Sequence, residues 1–327
     1  MNARRQGIAM VVVLWVIMVL SLLISGFAFR MHVETQVASF SRKELKAQML
    51  ARSGIEVARM ELILHDKTPT DAGFDALNQN WATNEDLYVD HELGDGKYNV
   101  KVSDEERKLP VNRLSEIQWH RLMDVLGVDP LDGDVIVDST LDWMDPTDLH
   151  RLNGADNSYY GSLVPSYKKK GGPLDRIEEL LLVRGVTKEI FEGTPGDDKD
   201  PGRPGLRDLL TTTTSGQVNV NTASPEVLKA LLGLDDQQTA LVLARRDGAD
   251  GIPGTDDDVP FRSTGEFIAT VGRIDAQAAP LISVSSMFFR VQSTGECNGV
   301  KRTINAVLRR QNGDCVISAW DANRSGS

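Results

Sequence analysis

Cysteine is nearly absent from this sequence. Of 327 residues only Cys297 and Cys315 carry thiols, outside any CxxC motif and with no histidine beside them, which excludes a zinc ribbon or dithiol redox centre of the usual spacing. Histidine is as sparse. His32, His65, His91, His120 and His150 form no HExxH element, and no GxSxG or P-loop accompanies them, so the common motifs of hydrolysis and nucleotide chemistry are missing. Positive charge is also short. Thirty-six Lys and Arg stand against 47 Asp and Glu, a net charge of -11, leaving no basic excess to neutralise a phosphate backbone. The chain reads as neither an enzyme nor a nucleic-acid binder.

What the sequence does have is one long apolar run, from Ile8 to Phe29 in MNARRQGIAMVVVLWVIMVLSLLISGFAFRMH. As a helix this run is ~33 Å long, enough to cross a hydrocarbon core of ~30 Å. A secretory signal has a shorter core and a small-residue cleavage site, of which SGFAFRMH supplies only a poor one. Arg4 and Arg5 precede the span and a lone Arg30 follows it, so the N-terminus is expected in the cytoplasm and the bulk of the chain outside it. In that oxidising setting Cys297 and Cys315 are expected to form a disulfide, joining two strand-like stretches as a hairpin.

From Arg30 to Lys67 there is no proline and only Gly54 as glycine, while Val33, Val37, Phe40, Leu45, Met49, Ile55, Met60 and Ile63 recur near helical spacing. One helix is expected to run from the membrane to about His65. A strand follows at 96–106, where Tyr98, Val100 and Val102 alternate, and further strands are expected at 281–295, 300–311 and 314–321. The residues between, 107–280, are helical in character. The fold class is α+β: a long helix packed on an antiparallel sheet, with a large all-α domain inserted between strands.

Within the insertion an apolar helix, a glycine turn and a second helix start recur in VNRLSEIQWHRLMDVLGVD, LDRIEELLLVRGVTKEIFEG and VNVNTASPEVLKALLGLDDQQTALVLARR, with a looser fourth copy ending at Ile282. In the third copy Ser224 suits the N-cap, Pro225 the first position and Glu226 the positive helix end. Such units resemble helix-hairpin-helix modules, and a membrane-anchored DNA receptor of the competence type is the alternative reading. Asp235 and Asp236 stand in the hairpin where a phosphate would be received, which favours helix packing instead. Two loops concentrate short carboxylates among turn residues, one with Asp197 and Asp198, the other with Asp250, Asp256, Asp257 and Asp258. They fit either a hard-cation site or a hydrated surface, and neither matches the EF-hand order. A further acidic set is Asp138, Asp142, Asp145 and Asp148, the first two one helical turn apart.

The segment RRQGIAMVVVL resembles the start of a type IV prepilin or pseudopilin. The ordered segments ARSGIEVARMEL, KLPVNRLSE, LDWMDPTD, LLLVRGVTKEIF and GQVNVNTASPEVLKALLGL are similar to the K family of minor pseudopilins of type II secretion systems. The resemblance implies a leader of residues 1–7 cut by the prepilin peptidase between Gly7 and Ile8, and methylation of the new N-terminus. A transmembrane segment at 8–29, a pilin-like helix and first strand at 30–106, the insertion at 107–280 and the remaining strands at 281–327 follow. The fifth mature residue, glutamate in most of that family's relatives, is Val12 here, which points to a minor subunit. It further implies a structural role at the pseudopilus tip, with minor pseudopilins I and J, the major pseudopilin and inner-membrane secretion components as partners, and calcium held by acidic loops.

Overall fold

A computed structural model describes residues 3–196 and 202–322. Helix α1 (Ala3–Lys67) is continuous over 65 residues. Its first part is apolar and exposed all round, from Met10 to Phe29. From Ala47 onward it becomes one-sided: Ala47, Leu50, Ala51, Ile55, Ala58 and Leu62 are buried at three- and four-residue spacing, which puts them on one stripe facing the sheet. Gly54 marks the closest approach. A Cβ there would overlap Ser293 Oγ and lie 2.7 Å from Val100 Cγ2, and one at Gly295 would overlap the Ala47 carbonyl oxygen. Two missing side chains let the helix lie directly on the sheet.

The chain then crosses back through α2 (Asn80–Thr83) and α3 (Glu85–Tyr88), setting Trp81 edge-on to Phe289 with ring centroids 5.1 Å apart. A hairpin of β1 (His91–Leu93) and β2 (Gly96–Asp104) follows, with Gly94 at φ 64° in its turn. The insertion opens with β3 (Leu109–Pro110), α4 (Glu116–Val125), α5 (Pro130–Met144), α6 (Asn157–Gly161) and α7 (Lys188–Glu192). It continues through β4 (Gly193–Thr194), β5 (Arg203–Pro204), α8 (Leu206–Leu209), β6 (Leu210–Thr211), β7 (Val218–Asn219), α9 (Pro225–Leu232), α10 (Asp236–Arg246), α11 (Thr264–Val271) and β8 (Ile282–Ser283). The chain returns as β9 (Phe288–Cys297), β10 (Val300–Gln311) and β11 (Asp314–Asp321). Asn298-Gly299 and Asn312-Gly313, all at positive φ, make the two tight turns that join these strands with the twist of the sheet.

The main sheet is antiparallel in the order β1-β2-β9-β10-β11. The helix-on-sheet architecture and the helical insertion expected from the sequence are both present. The insertion occupies 105–287, because Ile282 and Ser283 pair with Val218 and Asn219 and the chain rejoins the sheet only at Phe288. Three two-residue pairings, β3 with β6, β4 with β5 and β7 with β8, tie its short helices together. The three-residue strand β1 adds a fifth strand that alternation in the sequence does not signal. Two apolar cores result, one between α1 and the sheet around Ile55, Trp81 and Phe289, the other inside the insertion around Trp119, Leu228 and Phe267.

The disulfide is corrected by the register. Cys297 sits opposite Val300 and Cys315 opposite Arg310, on the two strands flanking β10 and at its opposite ends. Ten residues of strand separate them, ~33 Å at ~3.3 Å per residue, against the ~7 Å that a disulfide tolerates between Cα atoms. Both thiols are free and buried. Burial pushes the Cys315 thiol up to about 11, which keeps it protonated and unreactive.

Candidate functional site

The candidate sites lie along α1, at the acidic loops and where the insertion meets the sheet. Gly7 and Ile8 are in the helical backbone of α1, and their side-chain surroundings fall outside the described residues. Val12 is exposed, with the apolar residues around it, on a helix long and apolar enough to cross a membrane.

The acidic loops behave differently from one another. Asp197 and Asp198 lie outside the described residues. In the second loop Asp257 Oδ2 accepts from the Ala249 and Asp250 amides at 2.6 and 3.3 Å, and Asp258 Oδ2 accepts from Gly254 N at 2.7 Å. Thr255 Oγ1 is surrounded by Asp250, Asp257 and Asp258 Oδ1 at 3.5, 2.7 and 3.3 Å and by the Ile252 carbonyl at 3.1 Å. One hydroxyl proton faces four acceptors. The Thr255 hydroxyl and the Ala249 amide hold the Asp257 carboxyl below its ordinary range, while partial burial raises that of Asp258. Asp256 is exposed.

The third acidic set does not converge. Asp142 pairs with Arg151 at 2.8 Å and accepts its amide, Asp138 accepts Asn153 N, Asp145 accepts Thr147 N and Asp148 accepts Asn157 Nδ2. The cation of this region is built in. The buried Lys169 ammonium donates to the carbonyls of Asp142, Asp145 and Thr147, neutralising the negative end of α5. These four aspartates fasten the loop after α5 and do not form a metal centre. Among the described residues, no three His, Cys, Asp or Glu side chains are placed to hold an ion.

The hairpin that a DNA-receptor reading needs is present, but its turn is acidic and internally paired. Gly233 takes the left-handed conformation that ends α9, Asp235 caps α10 with Gln238 reciprocating, and Asp236 pairs with Lys229 at 2.6 Å. Two carboxylates in the turn are unfavourable to a phosphate.

A buried polar junction joins insertion and sheet, and sequence reasoning did not single it out. Asp75 is fully buried. It accepts two hydrogen bonds from Arg310 at 2.9 and 3.0 Å and one from Ser286 N at 2.7 Å, with His65 Nε2 3.1 Å away. Burial works against its charge, yet these donors hold its carboxyl below the ordinary range. Asp104 Oδ2 receives Thr222, Ser286 and Asn219 side chains at 2.5, 2.6 and 3.1 Å. With no cation on it, burial pushes Asp104 up to about 7. Glu105 is clasped by Arg290 at 2.8 and 2.9 Å and held low against burial, and Glu106 accepts the Ser215 and Met287 amides. The run Asp104-Glu105-Glu106 closing a strand is the only sequence signal, since its partners are over 100 residues away.

Profiles described as "Type II secretion system (T2SS), protein K" match residues 96–193 and 218–285, together just over half of the chain. The chain belongs to the type II secretion system protein K family. Family members with curated names are similar over most of its length. "Type II secretion system protein K" of Klebsiella pneumoniae is 26% identical over 75% of each chain, and that of Aeromonas hydrophila 25% identical over 94% of each. The fold matches a chain from the crystal structure of the GspK-GspI-GspJ complex of enterotoxigenic Escherichia coli, with a TM-score of 0.67, 19% identity and coverage of 88% of this chain and 99% of that one. Protein K is a structural pseudopilin component of the secretion system, and this chain carries one N-terminal helix long and apolar enough to cross a membrane.

Proposed function

We propose that the protein caps the type II secretion pseudopilus at its tip and starts its assembly with minor pseudopilins I and J, for export across the outer membrane. The prepilin peptidase would cut between Gly7 and Ile8, the new N-terminus would be methylated, and the bulk of the chain would stand outside the inner membrane. The observation carrying this reading is where the insertion sits. Its polar junction contacts His65 and Asp66 at the end of α1, ~55 Å along the helix from Phe29. So large a mass at the membrane-distal end leaves no room for a further subunit above. Val12 agrees. A subunit entering beneath another needs a fifth-residue carboxylate to meet its neighbour's amine, and an unpaired carboxylate in the bilayer is costly. A first subunit has no such neighbour.

Immunogold labelling of sheared fibres tests this: label at one end only is expected, and regular label along the shaft at the density of the major pseudopilin overturns it. We also propose that calcium orders the loop around Thr255, where Asp250, Asp257 and Asp258 bring carboxylate oxygens to one point. They would turn from the hydroxyl and amides toward the ion.

A further inference from the structure

The main sheet has two edges, and they are defended unequally. β1 is three residues long with Glu92 at its centre, too short and too charged to template another strand. β11 is eight residues long and contains neither proline nor lysine. It pairs with β10 alone, and past Cys315, whose carbonyl accepts from Arg59, no main-chain group on its outer edge has a partner among the described residues. A bulge at Ser318, between the pairings of Ile317 and Ala319, adds twist but covers nothing. Apolar side chains stand on both faces of the strand. Ile317 and Trp320, 41% and 42% exposed, lie on the side of α1, and Val316, 42% exposed, lies on the other. A long, apolar, open edge is what an added strand pairs with.

Symmetry, charge and size select the occupant. A second copy laid antiparallel on β11 is related to the first by a two-fold axis normal to the sheet, which reverses α1, so the two apolar helices could not enter one membrane. A second copy laid parallel sets Asp314 and Asp321 each beside its own counterpart. A partner without a membrane helix meets neither obstacle. The face of β11 away from α1 offers it two charges of opposite sign. Arg309, directly opposite Val316, lies over the Phe288 ring, and Asp321 ends the strand; neither forms an ion pair or side-chain hydrogen bond among the described residues. The edge is ~26 Å long at ~3.3 Å per residue, and one segment along it buries less than the ~1,200 Å² of a stable interface. Such a contact is transient and suits a protein in passage. Main-chain pairing also reads no sequence, so one edge can serve proteins of different sequence.

We propose that β11 receives an extended segment of an exported protein as an added strand, with apolar residues against Ile317 and Trp320, a carboxylate at Arg309 and a cation at Asp321. The site rests on the reading of the protein as a membrane-anchored subunit of the export fibre.

The first probe is a synthetic eight-residue peptide with valine at every second position and, on its other face, glutamate and lysine four residues apart. Added to the full chain in detergent, it should slow hydrogen exchange at the outward amides of residues 316–321. Proline in place of a central valine should remove that protection, and lysine in place of the glutamate should weaken binding about fivefold. Ile317→Lys, at an exposed position, should abolish the protection and leave exchange elsewhere unchanged. No protection, or protection indifferent to these changes, overturns the site. The second measurement places a photo-crosslinking residue at Trp320 in cells that assemble the fibre. An adduct to a protein that mass spectrometry also identifies in the culture medium is expected; an adduct only to a pseudopilin or a second copy, or none, overturns the assignment to an exported protein. Label along the fibre shaft with peptide protection and adduct intact overturns the tip position alone, and label at one end without them overturns this site alone.

Discussion

The sheet lobe and the insertion are held together in opposite ways. The lobe rests on one 65-residue helix laid over a five-stranded sheet, with Gly54 and Gly295 removing the side chains that would hold them apart. Among the described residues the insertion has no helix longer than the 15 residues of α5, and its short helices depend on caps and two-residue pairings. Ser115, Asp129, Thr187, Ser224, Asp235 and Ser263 each cap a helix through a side chain. Helices this short are unstable alone and persist only when their ends are satisfied and an apolar face is buried. One lobe spends its sequence on continuity and the other on punctuation.

If the lobes have separate cores, damage to one should stay there. Phe289→Ala removes a ring packed on Trp81 and is expected to destabilise the sheet lobe by about 3–5 kcal/mol while leaving the insertion's transition in place. Arg310→Met strips the guanidinium from buried Asp75 and leaves its charge to His65 and the Ser286 amide alone, a loss of about 3 kcal/mol felt in both lobes. Thermal unfolding of the full chain in detergent, followed by hydrogen exchange, distinguishes the two. A common loss for Phe289→Ala would mean that the junction makes the lobes one cooperative unit.

Calcium should act on the insertion alone. At a hundredfold excess over its Kd it would stabilise by about 2.7 kcal/mol, so chelation should lower the insertion's Tm and leave the sheet lobe's unchanged. An unchanged melt with no metal by elemental analysis removes the cation.

The junction should also respond to pH. The folded Asp104 pKa of about 7 lies above the ordinary unfolded value of ~3.9. The folded state therefore binds the extra proton, and stability contributed by this group is complete below pH ~4 and falls as pH rises toward 7. Asp75 and Glu105, held low, act oppositely and lose their contribution only in acid. Tm measured from pH 5 to 8 should fall with pH, and Asp104→Asn should flatten that fall. The smallest effect is Ser224→Ala, which removes the Oγ that accepts from Val227 N and should cost about 1 kcal/mol in the insertion only.

The same contrast governs what the sequence reveals. A helix without proline and strands with alternating residues are local patterns, so α1, β2, β10 and β11 are legible, as is the Ser224-Pro225-Glu226 start of α9. The three residues of β1 are too few to alternate, and the pairing of Ile282 with Val218 depends on a partner far along the chain. The expected cysteine bridge failed because β10 intervenes between the two strands. Asp138, Asp142, Asp145 and Asp148 look like cation ligands until Lys169, absent from that motif, supplies the charge. Carboxylate identity is visible in sequence; what each one faces is not.

The insertion leaves the sheet after Asp104 and returns at Phe288, and Asp104 and Phe289 are direct partners across β2 and β9. Both attachment points thus fall side by side at the middle of the sheet, on the strands that α1 covers. In mechanical terms, a push on the insertion enters the sheet through its inner strands, not its edges, and passes from there to the helix. Load on the insertion is carried without peeling β1 or β11 away.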